Sequence, residues 1–310
     1  MHFKPFLCLG FIALFMASSY AQTSKRKMIG EPIEQSWYNV DSLLYHVEVL
    51  SSDAFEGRRT GTKGAEMAKA YIKDQFERYQ VIPLVINYEQ EFTFDQRNKT
   101  YEGTNILGQI VGTQMPEDYI VITAHYDHEG IKNGKIYNGA DDDASGVSAL
   151  FAFAEYFQKY PPKHSVILAA VDAEELGLVG SEYYVNNSII DRDRIRMNIN
   201  MDMISRSDRN ELFVVGTRYN RQYEPLIKSM ETQGGLNLVI GHDGSDRKAN
   251  WTYSSDHASF HVENIPFLYF GVADHEDYHK PTDDFENIHP VFFQNAVTSI
   301  ISVFQKLDDM

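Results

Sequence analysis

Apolar residues recur along the chain with two alternating periodicities, which predict helices placed between strands. Spacings of three and four residues are typical of amphipathic helices, whereas short unbroken apolar runs are typical of strands buried on both faces of a sheet. The helical pattern covers 41–50, 65–79, 144–160, 178–185, 219–233 and 290–307. The strand pattern covers 81–94, 105–111, 119–123, 165–171, 197–204, 211–215, 236–240 and 265–270.

The alternation of strands with helices predicts an α/β protein, specifically a three-layer α/β/α sandwich with a mixed, mostly parallel central sheet. No repeat or low-complexity linker divides the sequence. We therefore expect one domain, in which residues 22–100 form an N-terminal lead-in and flanking layer and residues 101–310 form the core. In such sheets, ligands bind beyond the carboxyl ends of the strands.

The N-terminus predicts a signal peptide. A short polar start is followed by an almost wholly apolar run from Phe6 to Ala17 and then by small residues up to Ala21. This run is too short to span a bilayer comfortably, so we expect residues 1–21 to be removed after export. The mature chain would then be periplasmic or extracellular, with no integral membrane segment.

Composition narrows the possible chemistry. Cys8, the only cysteine, lies inside the leader, so the mature chain is expected to have no disulfide and no thiol chemistry. Any metal site must therefore use histidines and carboxylates. The formal net charge of −16 argues against nucleic acid or an anionic membrane as a partner. Nothing in the sequence indicates an oligomeric state.

Histidines and carboxylates cluster after or within four of the predicted strands and just before the helix at 144–160. Each cluster alone could be a helix cap or a surface ion pair. A purely structural role does not explain why all of them are expected at one edge of a sheet. The clusters are His125-Tyr-Asp127-His128, Asp141-Asp142-Asp143, Asp172-Ala-Glu174-Glu175, Asn200-Met-Asp202 and His275-Glu-Asp277-Tyr278-His279.

This donor set suits zinc. Histidines and carboxylates without cysteine are typical of zinc in an open, catalytic geometry. Two metals about 3.5–4 Å apart also need a carboxylate that bridges them. The aspartates at 141–143 offer one, because backbone alternation lets only one of three adjacent side chains point squarely at the metals. The other two are expected to cap the following helix or hold the turn.

The motifs resemble those of the M28 family of zinc peptidases, the co-catalytic dizinc aminopeptidases. They occur in the family's order over roughly residues 104–284, and Glu56-Gly-Arg58-Arg59-Thr-Gly is similar to the family's lead-in. Residues 101–310 would then be an M28-type catalytic core. The matching elements are Ala-His125-Tyr-Asp127-His, Asn-Gly-Ala-Asp141-Asp142-Asp143-Ala-Ser-Gly, Asp-Ala-Glu174-Glu175-Leu-Gly, Asn-Met-Asp202-Met and Tyr278-His279-Lys-Pro-Thr-Asp.

The resemblance implies a set of metal ligands for two zinc ions per chain. His125 and Asp202 would bind one ion. His279 and Glu175 would bind the other. Asp142, the middle aspartate of the three, would bridge them.

The resemblance also implies roles in catalysis. Glu174 would be the general base, taking a proton from water activated by the two zinc ions and passing it to the leaving amine. Asp127 would accept the second ring N–H of His125 and so determine its tautomer. Tyr278 would donate its hydroxyl to the developing oxyanion.

Other polar residues are assigned supporting positions. His128 is expected in the loop or behind the metal ligands, and Arg58 with Arg59 is expected to anchor the lead-in loop through salt bridges. Two pairs stay undecided between lining the substrate pocket and a structural role, namely Asp256 with His257 and Trp251 with Tyr253.

Three functions are compatible with these residues. The first is an exported zinc aminopeptidase that acts on peptides with a free N-terminus. The second is a glutaminyl-peptide cyclotransferase, which shares the fold but uses one zinc ion. The third is a non-catalytic binding module that has lost its metals, which the intact ligand set disfavours. The preferred N-terminal residue, the native metal and the choice between aminopeptidase and carboxypeptidase specificity are not readable from the sequence.

Overall fold

A computed structural model describes residues 30–230 and 234–310, so the predicted signal peptide at 1–21 lies outside the described residues. Within these described residues, nine strands form one sheet, and β5 pairs with β6 in a separate hairpin. The strands are β1 (Ile82–Pro83), β2 (Glu89–Gln96), β3 (Lys99–Ile110), β4 (Met115–His125), β5 (Gly130–Lys132), β6 (Lys135–Tyr137), β7 (His164–Val171), β8 (Ile195–Met201), β9 (Glu211–Val215), β10 (Asn237–Ile240) and β11 (Phe267–Gly271).

The sheet has a parallel centre and antiparallel pairings toward both edges. Its order is β1-β3-β7-β4-β8-β11-β9-β10, with β2 paired to β3. Strands β7, β4, β8 and β11 run parallel, whereas β3 is antiparallel to β7 and β9 is antiparallel to β11. The carboxyl ends of the four central strands therefore meet at one edge. The predicted α/β class and mixed sheet are confirmed.

Helices cover both faces of the sheet. Along β4, Ile120 and Ile122 pack into a core shared with α1, α2, α3 and α7, whereas Val121 faces the opposite side, which is covered by α4 and α6. This alternation is the period of a strand buried on both faces. The helices are α1 (Val40–Leu50), α2 (Lys63–Arg78), α3 (Ser145–Lys159), α4 (Val179–Asn186), α5 (Glu224–Lys228), α6 (His257–Val262) and α7 (Pro290–Asp308).

Residues 30–100 pack onto the same core as the rest of the described chain. Asn39 and Thr62 cap α1 and α2 by accepting hydrogen bonds from backbone N–H groups, which explains where these helices begin. The buried faces of both helices belong to the core that also contains α3 and the sheet. Among the helices of the described residues, none combines the length and apolar character needed to cross a membrane.

Three predicted elements differ from the structure. The described part of the helix predicted at 219–233, residues 219–230, contains only a 3-10 turn and the short α5, because Pro225 occupies the start of a helix rather than its interior. The strand predicted at 81–94 is divided into β1 and β2 by a turn at 86–88. The strand predicted at 197–204 ends at Met201, so Asp202 lies in the loop beyond it.

Arg58 anchors the lead-in loop, but not through the salt bridge expected for it. Its buried guanidinium donates to the backbone carbonyls of Leu50, Tyr126, Asn138 and Gly139, at 2.6–2.9 Å. Burial lowers the pKa of Arg58 to about 10, which leaves the group charged at neutral pH. One side chain thus joins α1 to two loops of the sheet edge.

We expect Arg58→Met to lower the free energy of unfolding by about 3 kcal/mol or more, because several buried carbonyls lose their donor at once. Urea denaturation followed by circular dichroism measures the change. The matched control is Arg59→Met, which removes a 3.5 Å ion pair with Glu129 and should cost under about 1 kcal/mol. Equal losses in the two variants would contradict the anchoring role.

Candidate metal centre

Side chains from four strand ends and one helix start converge at the carboxyl edge of the sheet. His125 is the last residue of β4, Glu174 and Glu175 follow β7, and Asp202 follows β8. The loop after β11 carries His279, and the segment before α3 carries Asp142. The structure therefore brings together the metal ligands that the sequence resemblance implied.

Asp142 lies between two histidines. Its Oδ1 is 3.2 Å from His125 Nε2, and its Oδ2 is 3.1 Å from His279 Nε2. His125 Nε2 is also 3.5 Å from Asp202 Oδ1, and His279 Nε2 is 3.3 Å from Glu175 Oε1. Each oxygen of Asp142 thus belongs to a different half of the site, which is the arrangement that a bridging carboxylate requires.

Asp141 and Asp143, the neighbours of Asp142 in sequence, make structural hydrogen bonds instead. Asp143 Oδ1 accepts from the backbone N–H of Gly146 at 2.8 Å and so caps α3. Asp141 Oδ1 accepts from the N–H and hydroxyl of Ser205, and its Oδ2 lies 2.9 Å from His275 Nε2. The expectation that the outer aspartates cap the helix and hold the turn agrees with these contacts.

The position of Asp127 requires a correction. The Nδ1–H of His125 donates to the backbone carbonyl of Asp127 at 3.0 Å, whereas the carboxylate expected to accept it is 3.7 Å away. That carboxylate instead accepts from the backbone N–H groups of Glu174 and Glu175, at 3.0 and 3.3 Å, and from the Thr60 hydroxyl. Asp127 therefore holds the turn that presents both glutamates.

His128, which was expected in the loop or behind the metal ligands, lies in the loop after β4 with its ring against Glu175. The ring is fully buried, and Nδ1 lies 2.8 Å from Glu175 Oε1 and 3.7 Å from Asp142 Oδ2. The sequence signal for this position was the second histidine of His-Tyr-Asp-His, which follows the last residue of β4 by three residues.

Burial and neighbouring charges shift the pKa values of Glu174 and Glu175 in opposite directions. Burial raises the pKa of Glu174 well above its usual range, and the charges of Asp202 and Asp256 raise it further. Burial acts in the same direction on Glu175, but the rings of His128 and His279 outweigh it and lower its pKa to about 2. Glu174 is thus suited to hold a proton, and Glu175 to remain an anion.

A cavity of about 200 Å³ opens onto this cluster. Trp251 and Tyr278 line it, and the Tyr278 ring stacks on His279 with centroids 4.0 Å apart. The oxyanion role of Tyr278 stays a prediction. Tyr269, which sequence reasoning missed, lines the same cavity, and its hydroxyl lies 3.5 Å from the backbone oxygen of Asp202. Tyr253 is exposed and lines a neighbouring cavity instead.

The undecided pair Asp256 and His257 lies beside the cavity at the start of α6. Asp256 is fully buried without an aligned hydrogen-bond partner among the described residues, and burial raises its pKa to about 7. His257 stacks on Tyr269 with centroids 4.5 Å apart, and its Nε2 lies 2.9 Å from the Trp251 carbonyl. His257 therefore supports the cavity wall from behind.

The donor atoms fit zinc. Histidine nitrogens and carboxylate oxygens converge, and no lysine or arginine in the described residues forms an ion pair with Asp142, Glu175 or Asp202. Buried carboxylates of this kind require a nearby positive charge. Three groups could each hold a cation, namely His125 with Asp142 and Asp202, His128 with Asp142 and Glu175, and Glu129 with Glu175 and His279.

Sequence comparisons agree with the donor set. A family model described as Peptidase family M28 matches residues 105–304. Aminopeptidase YwaD from Bacillus subtilis (strain 168) is 31% identical over 210 residues, which make up 62% of this chain and 43% of that protein. A probable zinc metalloprotease from Leptosphaeria maculans is 27% identical over 174 residues, 54% of this chain and 40% of that protein. The chain thus spans less than half the length of these relatives.

Solved structures share the fold. A Zn-dependent exopeptidase from Parabacteroides distasonis has a TM-score of 0.69 at 19% identity, covering 86% of this chain and 98% of its own. The zinc aminopeptidase BSAP from Bacillus subtilis has a TM-score of 0.64 at 18% identity, covering 85% and 95%. A glutaminyl cyclase from Fimbriiglobus ruber has a TM-score of 0.69 at 17% identity, covering 88% and 97%. At such identities the likeness shows the fold alone.

Proposed function

The chain belongs to peptidase family M28, and from this premise we propose that it is an exported zinc aminopeptidase with two zinc ions, which hydrolyses N-terminal residues from peptides. The single observation that carries the proposal is the position of Asp142 between two halves of a donor set. His125 and Asp202 would hold one zinc ion, and His279 and Glu175 the other. A single-metal enzyme has no need for both halves.

Zinc held by these residues would polarise the scissile carbonyl and acidify the attacking water. Glu174 lines the cavity beside Asp142 and Asp202, where it accepts the proton of the water and returns it to the leaving amine. Its raised pKa favours this exchange, because a carboxylate of ordinary pKa would hold the proton too weakly. Asp127 keeps Glu174 in place through its backbone. Tyr278 is the proposed donor to the oxyanion.

The cavity supports exopeptidase action on a free amine. A volume of about 200 Å³ admits one side chain rather than an extended peptide. Its wall combines the apolar or aromatic residues Met203, Trp251 and Val272 with several carboxylates. Asp274 is the one carboxylate of this wall that is assigned neither to zinc nor to proton transfer, and its negative charge would attract the positive charge of an N-terminus.

Export through the predicted signal peptide belongs to the same proposal. The leader at 1–21 and the absence of cysteine beyond Cys8 support it. N-terminal sequencing of the chain recovered from the periplasm or medium should start at Gln22. Recovery of the chain in the cytosol with Met1 retained would contradict export.

We expect Glu174→Gln to retain bound zinc and to lose about 10²–10⁴-fold in kcat, because the amide cannot accept the proton from water. Hydrolysis of a panel of aminoacyl-arylamides and metal analysis of the same preparation measure both quantities. The matched control is Glu224→Gln, which makes the same change at a partly exposed glutamate paired with Lys228 outside the cavity and should keep the kcat of the wild type. A Glu174→Gln variant with the kcat of the wild type would contradict the assignment of the base.

Asp142→Ala should reduce bound zinc and the melting temperature together, because metal binding is coupled to folding. Elemental analysis should find two zinc ions in the wild-type chain and at most one in the variant. Unchanged zinc content and melting temperature would contradict the bridge. One zinc ion in the wild type, with cyclisation of an N-terminal glutamine, would favour the cyclotransferase, and no zinc would favour a binding module.

A further inference from the structure

His128 lies behind Glu175. Its Nδ1 is 2.8 Å from Glu175 Oε1, which is within hydrogen-bond distance, and neither atom has an aligned hydrogen-bond partner among the described residues. The ring is fully buried and Nε2 has no partner there either. Buried polar groups in proteins are nearly always hydrogen-bonded, so Glu175 is the expected partner of this ring.

The ring of His128 has little free space beside it. It packs against Gly139, where an added Cβ would lie 2.6 Å from His128 Cγ and Cδ2. Gly139 also has a φ of +58°, and its carbonyl accepts from Arg58 at 2.9 Å. Because the Arg58 guanidinium holds the backbone of Gly139, the wall on this side of the imidazole is fixed by a buried hydrogen bond.

The distances favour a supporting contact over a direct metal bond. Two ligand atoms of a tetrahedral zinc ion with bonds of about 2.0 Å are about 3.3 Å apart. His279 Nε2 meets this spacing from Glu175 Oε1 at 3.3 Å and from Asp142 Oδ2 at 3.1 Å. His128 Nδ1 is closer to Glu175 Oε1, at 2.8 Å, and farther from Asp142 Oδ2, at 3.7 Å.

We propose that His128 is a positioning residue that donates its Nδ1–H to Glu175 and holds this carboxylate on the zinc ion shared with His279. The inference rests on the proposed two-zinc function. It gives the second half of the site a support that corresponds to the contact between the Asp127 carbonyl and His125 in the first half. Such supporting groups orient metal ligands and raise affinity.

The test measures zinc affinity rather than activity. Purified protein is stripped of metal and titrated with Zn²⁺ against a chromophoric chelator. His128→Leu, which fills a similar volume without a donor, should weaken one of the two zinc ions by about 10–100-fold. His128→Asn places an amide N–H near the position of Nδ1 and should recover most of the loss.

A double-mutant cycle separates positioning from direct ligation. Because His128 acts through Glu175, Glu175→Ala and the double variant His128→Leu/Glu175→Ala should have equal zinc affinities. Additive losses would show that His128 contributes independently, and would overturn the proposal. Zinc affinity unchanged in His128→Leu, or no better in His128→Asn than in His128→Leu, would overturn it as well.

Two controls test whether a loss of zinc affinity is specific to His128. His46→Leu replaces another buried histidine, which contacts Tyr71 and Phe151 in the helical layer, and should bind zinc as the wild type does. Circular dichroism of the metal-stripped variants checks that each is folded before titration. A wild-type chain that takes up only one zinc ion contradicts the proposed function and the inference together, whereas two tightly held ions in His128→Leu contradict the inference alone.

Discussion

The burial of acidic side chains at the carboxyl edge of the sheet is the constraint on which the rest of the structure depends. The adjacent residues Asp142 and Asp143 are both buried, and the buried Asp202 and Asp256 lie close to them. An unpaired buried carboxylate is costly, and like charges near one another increase the cost. The fold must therefore supply donors, cations or protons at this one place.

The chain meets this requirement in two layers. Outer carboxylates accept backbone N–H groups: Asp127 binds the turn of Glu174, Asp143 binds the start of α3, and Asp283 binds the N–H of Asp142. These contacts hold the loops and neutralise little charge. The inner carboxylates Asp142, Glu175 and Asp202 lie 3.1–3.5 Å from the rings of His125 and His279, which is close to the spacing of two ligands on one zinc ion. Carboxylates thus serve both the stability of the loops and the proposed chemistry. Arg58 connects the two layers because it donates to the backbone carbonyls of Tyr126 and Gly139, which lie next to Asp127 and close to Asp142 in sequence.

Much of the site was predictable because parallel strands place their carboxyl ends together. Polar residues directly after apolar runs, such as His125 after the run at 119–123, need no knowledge of side-chain direction to be assigned to that edge. Predictions of individual partners were weaker. The Asp127 carboxylate was expected on His125 but contacts the backbone at 174–175, and His128 was expected in the loop or behind the metal ligands without a named partner. Both residues lie in a loop, where neither a period of two nor a period of 3.6 determines the side-chain direction.

The sequence by itself determined the order of elements, the mixed α/β sheet and the residue types available for a metal, because apolar periodicity and the lack of cysteine beyond the leader are properties of the chain alone. Spacing alone left open which of the three adjacent aspartates faces the metals, although the family resemblance implied Asp142. Only the tertiary structure showed that Asp142 lies between His125 and His279 and that His128 also contacts Glu175. The physical reason is that secondary structure follows from local spacing, whereas the distances between donor atoms follow from loops positioned by buried contacts over 80 residues away in sequence, as between Arg58 and Gly139.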